Sequence, residues 1–212
     1  MPHGAYLRSG STLGLARAAY RRSLEDSREA EVAITLSAAA FEGFLNDLAF
    51  ALRTWKQPDY VVAAAEVLAE AEEARLQPVI KYRLAMYALT RRFPQKGEIE
   101  VQQLAALMKL RNSLLHIKPE PIFTLDDENP RFDGTDKPPS EVQFLISQGI
   151  IVLPPKYGGS WRALVTSAAV AEWSYRTSVS AMKRIAATPQ DATVKGFFTF
   201  FTNGVPDDPN AA

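Results

Sequence analysis

Residues Arg111-Asn112-Ser113-Leu114-Leu115-His116 put a permanent cation, an amide and an imidazole within about a turn and a half of helix. The chain has two histidines, and the other, His3, lies in a polar N-terminal segment. Histidine alone has an unperturbed pKa near neutrality, so acid–base chemistry in this protein falls to His116. An arginine cannot shed its charge and suits the binding of a phosphate or carboxylate. The residues that must position this turn come from the helices around it.

The spacing of apolar residues predicts helices over 12–24, 28–55, 60–75, 78–93, 98–116 and 161–187. The second is apolar on nearly every side and is interrupted only by Gly43, which marks it as the central helix. Asp26-Ser27 offers capping oxygens at its start, and Pro58 follows its end. The fold class expected is all-α, an antiparallel bundle with short connections. A single domain over 1–187 carries a proline-rich insertion at 119–160, where Pro119 and Pro121 stop the helical pattern. Within it, Val142 to Leu153 could form a small β-hairpin about Gln148-Gly149, and Asp133-Gly134 and Gly158-Gly159 read as turns. The tail, 188–212, contains Phe197-Phe198-Thr199-Phe200-Phe201, an aromatic cluster expected to cover the bundle or a partner.

Composition narrows the chemistry. The 212 residues are 47% hydrophobic and carry 24 basic against 24 acidic side chains, so any grip on nucleic acid must be a local patch. With no cysteine and two distant histidines, neither thiolate chemistry nor a histidine-rich metal site is indicated, and no metal or cofactor is expected. No stretch reaches about 18 uninterrupted apolar residues, and no signal-peptide run opens the chain, so the expected location is cytoplasmic, without membrane contact.

On a helix of about 100° per residue, Leu104, Leu107, Met108, Leu114 and Leu115 form one apolar stripe with Arg111 near its centre. A cation there needs a carboxylate, a subunit boundary or a bound anion to offset desolvation. Asn112 and His116, four apart, share a face at the edge of the stripe. In the central helix Glu42 and Asn46 are also four apart on a small or polar strip, and Glu42 could receive Arg111 or orient His116. The plain structural reading is equally open: a Glu42–Arg111 pair holding two helices in register, with His116 interacting with the last carbonyls of its helix.

The string Arg111-Asn112-x-x-x-His116, followed by Lys118-Pro119 and preceded by a long helix bearing Phe41-Glu42-Gly43-Phe44-Leu45-Asn46, resembles the HEPN superfamily. These are small all-α domains of toxin–antitoxin, phage-defence and RNA-guided systems, many of them metal-independent endoribonucleases. Their signature is an arginine, four to six residues and a histidine, often with asparagine after the arginine. The resemblance covers residues 12–118 and 161–187 and leaves out the insertion and the aromatic tail. It implies an RNase in which His116 is general acid or base, Arg111 holds the phosphate, Asn112 positions it, and Glu42 and Asn46 support from behind. Attack by the RNA's own 2'-hydroxyl needs a base, an acid and positive charge. One such histidine and one such arginine per chain are too few, and the resemblance implies a homodimer that joins two Arg111–His116 pairs in one cleft.

A binding or scaffold module that keeps the fold without cleavage is the reading of a different class. A third is an antitoxin or immunity protein whose apolar tail meets a defence-system partner. Lys109, Lys118, Arg131, Lys137, Lys156 and Arg162 are candidates to line an RNA path along the insertion. Tyr157 and Trp161 could stack bases or pin the loop to the bundle.

Overall fold

The computed structural model describes residues 8–54, 59–116, 123–125, 137–154, 157–189, 195–196, 202 and 205–210. The chain is predominantly helical: α1 (Arg8–Ser23), α2 (Glu29–Thr54), α3 (Asp59–Glu73), α4 (Pro78–Thr90), α5 (Ile99–Leu115), α6 (Ser140–Ser147), α7 (Trp161–Val165) and α8 (Ala168–Ala187). Two three-residue strands, β1 (Phe123–Leu125) and β2 (Tyr157–Gly159), pair antiparallel with Thr124 opposite Gly158.

α2 is the axis of the bundle, with α1, α3, α4, α5 and α8 packed on it. Its Phe41, Phe44, Leu45 and Leu48 are buried in one apolar cluster that also takes Tyr82 of α4, Leu104 and Leu107 of α5, and Val179 and Ile185 of α8. By length and composition its Glu29–Phe50 stretch could cross a membrane. Here that apolarity serves the core, because a helix with neighbours on most sides must be apolar on most sides. Alanines 19, 30, 33 and 171 form a second buried cluster with Tyr20, letting α1, α2 and α8 approach closely. The buried Ser178 hydroxyl donates to the Ser37 carbonyl at 2.8 Å and ties α8 to α2.

Helix ends follow local chemistry. Pro78 begins α4, where its missing N–H costs nothing, and Arg91 closes α4 in the left-handed region at φ 61°. α5 stops at His116, which has left helical geometry and donates its backbone N–H to the Asn112 carbonyl at 3.0 Å.

Three sequence expectations change. Residues 142–147, expected in a hairpin, belong to α6: Val142 and Leu145, three apart, are both fully buried, whereas Gln143 and Ser147 are exposed. The intended turn, Gln148-Gly149, caps this helix instead. Gly149 sits at φ 69° and the Ile150 N–H reaches back to the Leu145 carbonyl at 3.0 Å. A left-handed glycine serves a hairpin turn and a helix cap alike, so the Gln-Gly signal could not separate them. Gly158-Gly159, expected as a turn, lies in β2. A Cβ on Gly159 would come within 2.9 Å of the Tyr157 hydroxyl, which bends over it to donate to the Ser160 carbonyl at 2.6 Å. The final helix is broken at residues 166–167, where the Ser167 hydroxyl caps α8 by accepting from the Val170 N–H.

The aromatic run 197–201 lies outside the described residues. Residues 205–210 lie across α1 and α8: Arg17 Nε donates to the Pro209 carbonyl at 3.1 Å, Tyr175 to that of Pro206 at 3.1 Å, and Lys183 pairs with Asp207 at 2.8 Å.

Candidate functional site at the end of α5

The apolar stripe of α5 is packed along its length except at Leu115, next to His116. Leu104, Leu107 and Met108 are buried and Arg111 is half-buried, but Leu115, expected on the buried stripe, is 56% exposed. Leu114, on the same stripe, stays buried at 4%, so within the last turn of α5 one face is packed and the Leu115 face is open.

Arg111 meets Glu42 of α2, Nη2 to Oε2 at 3.2 Å, with side-chain exposures of 21% and 34%. Of the two roles expected for Glu42, the geometry realises the pairing with Arg111. The pairing is incomplete: Arg111 Nε is buried without a hydrogen-bond partner. Asn112 and His116 are exposed on the outer side of the helix. Among the described residues the His116 side chain has no hydrogen-bond or ion-pair partner, and Asn46, exposed one turn along α2 from Glu42, has none either.

Behind the pair stands a residue that the sequence reading missed. Lys81 of α4 is 3% exposed and forms an ion pair with Glu72 of α3. Burial pushes its pKa below the ordinary lysine value, and the nearby Glu42 carboxylate opposes that shift. Glu42 therefore lies in the field of two cations, one from α4 and one from α5. The signal was present, since Lys81 falls three residues after Pro78 and four before Ala85 on the buried face of α4. Also missed was Glu141 at the start of α6, 5% exposed, which accepts from Ser113 at 2.6 Å and from Ser140 at 3.2 Å and so docks α6 on α5.

The basic candidates separate. Arg162 of α7 grips Glu31 of α2 with two bonds, Nε to Oε1 at 2.7 Å and Nη2 to Oε2 at 2.6 Å, and Nη2 also reaches the Leu114 carbonyl at 3.4 Å. Its fork is engaged, and it acts as an anchor for the last turn of α5 where an RNA contact was expected. The same guanidinium, by hydrogen bonding and despite partial desolvation, holds the Glu31 carboxyl below its ordinary range. Lys109 is exposed, with Nζ 3.4 Å from Ser140 Oγ, and Lys137 is exposed. Lys118, Arg131 and Lys156 lie outside the described residues. Trp161 is buried in the core cluster and Tyr157 packs against it, so both pin the segment to the bundle.

Arg111 and Asn112 line a groove of about 560 Å³ between α4, α5 and α6, and His116 lies beyond its end. No group of three or more His, Asp or Glu among the described residues is arranged to hold a metal. Comparison with family models, curated proteins and solved structures returns no match.

Proposed function

We propose that this chain is a metal-independent endoribonuclease of HEPN type, working as a two-fold dimer. One observation carries the reading: a solvent-exposed imidazole at the end of α5, unpartnered among the described residues, about a turn and a half beyond an arginine whose position is held by a carboxylate of the central helix. Exposed Leu115 beside it supports a seam there, because an apolar side chain at the end of a buried stripe is suited to cover by a second copy.

In this reaction the RNA 2'-oxygen attacks the adjacent phosphorus, forming the 2'-O–P bond as the P–O5' bond breaks. His116 of one protomer takes the 2'-hydroxyl proton, and the same residue of its partner delivers a proton to the leaving 5'-oxygen. The guanidinium N–H groups of Arg111 not bound to Glu42 offset charge on the phosphate, and Asn112 orients it. The products are a 2',3'-cyclic phosphate and a 5'-hydroxyl. The test is incubation of purified full-length protein with RNA in excess chelator, with analysis of the product ends. Cleavage giving those ends is the expected result. Strict dependence on magnesium, or 5'-phosphate ends, would overturn the mechanism.

The Glu42–Arg111 pair also favours a second reading, a non-catalytic module of the same fold in which that pair only holds α2 and α5 in register. RNA cleavage that disappears on His116→Ala, with the fold intact, excludes it.

A further inference from the structure

The groove between α4, α5 and α6 has an unusual charge for a chain whose basic and acidic residues balance at 24 each. Its charged lining consists of Arg83, Lys96, Lys109 and Arg111, the last already paired with Glu42, against one carboxylate, Glu141. That carboxylate is 5% exposed and accepts from two serines, so it is directed into the protein. Among the described residues Lys96 is exposed with no partner and Lys109 makes the long contact to Ser140 alone. Arg83 is held in place by a 2.7 Å bond from Nε to the Pro94 carbonyl and by stacking 4.2 Å over the Phe93 ring. Both contacts fix the guanidinium without neutralising it. The first turns of α4 and α6 also contribute to the wall, so the positive ends of two helix dipoles add to the field.

The arrangement of these charges selects the ligand. Lys96 precedes the start of α5 and Arg111 lies twelve residues past Ile99, about 18 Å along the helix at 1.5 Å per residue. Cations strung over that length suit a linear polyanion better than one phosphate group. Val79, Ile80, Met108 and Phe144 give the groove an apolar wall against which bases can lie. The C-terminal end of the groove, at Arg111 and Asn112, leads toward His116, the residue that caps the same helix.

We propose that this groove is the track for a single-stranded RNA, with Lys96, Lys109 and Arg83 on successive phosphates, leading the strand to His116. The path rests on the proposed function and deepens it. It runs along α4 and α5 rather than along the insertion, where Arg162 is already engaged.

The experiment measures binding apart from cleavage. Full-length His116→Ala protein is titrated with a labelled oligouridine or oligoadenosine at several salt concentrations, alone and with Lys96→Gln and Lys109→Gln added. Both lysines are exposed, so the fold should survive, and circular dichroism checks it. The double change should weaken binding about tenfold or more at low salt. It should also flatten the log–log salt dependence by about 1.4, from two lost contacts at about 0.7 each. Arg53→Gln, at an exposed position on α2, should leave binding unchanged. RNA binding untouched by the double change overturns the track while leaving the RNase reading intact. Binding that follows the prediction, in a wild-type protein that cleaves nothing, supports the track and rejects the RNase reading. Absence of RNA binding overturns the track, as does equal loss in the Arg53 control.

Discussion

His116 and Arg111 differ in what surrounds them, and that difference sets what each substitution should do. His116 is exposed and unpartnered among the described residues, so His116→Ala removes a titrating group and little packing. Cleavage should fall by about 10²–10⁴-fold, the usual worth of general acid–base catalysis, with melting unchanged. Wild-type cleavage rates in that variant would reject the catalytic role. Arg111→Ala should lower kcat by about 10²–10³-fold if its free N–H groups hold the phosphate. Stability should respond modestly to it, because Glu42 is 34% exposed and retains the field of Lys81 when its partner is removed. Lost activity together with a collapsed fold would mark the arginine as structural.

At the scale of elements, α6 and the α7–α2 clamp carry separate expectations. Helical spacing buries Val142 and Leu145 together, so Leu145→Ala should cost about 2–5 kcal/mol while Gln143→Ala stays within about 0.5 kcal/mol. In a hairpin, alternation would put 143 and 145 on one face. Equal sensitivity at both positions in denaturant unfolding would therefore contradict the helix. The Arg162–Glu31 pair should be visible in the acid limb of stability. Arg162 holds the Glu31 carboxyl below its ordinary value of 4.5, so the folded chain keeps it ionised to lower pH than the unfolded chain does. The resulting stabilisation is present in full above the unfolded value and is lost as pH falls through the lowered folded one. Arg162→Ala should cost about 1–3 kcal/mol at neutral pH and flatten the loss below about pH 4.5. An acid limb with unchanged slope would show that the pair contributes nothing.

At the scale of the whole molecule, the described residues of one chain supply one exposed imidazole where the reaction needs a base and an acid. A two-fold interface sets the same residues opposite each other, so a seam at the end of α5 would bring two His116 side chains together. Mixing inactive His116→Ala chains into wild-type dimers, with exchange verified, should lower activity toward the square of the wild-type fraction. A linear fall would show that each chain acts alone. The tail bears on where such a seam can form, since residues 205–210 already cover parts of α1 and α8, whereas Leu115 beside His116 is exposed.

Periodicity alone determined most of the helices and the place of the candidate turn. An apolar stripe is a property of neighbouring residues, and so is the arginine that interrupts it. Partner choice is not local. Glu42 and Arg111 are 69 residues apart and could be matched because both interrupt apolar helices that had to pack. Glu31 and Arg162 are 131 apart, and nothing near either residue marks the other, so Arg162 read as a free cation until the packing of α7 on α2 engaged it. The turn at Gly149 was legible, but its role was not, because the same left-handed glycine ends a helix or joins two strands. The tertiary contact of Val142 and Leu145 with the core selected the helix. The cationic groove lay furthest from view: its charges come from α4, the α4–α5 connection and α5, and only packing turns separate lysines and arginines into one field.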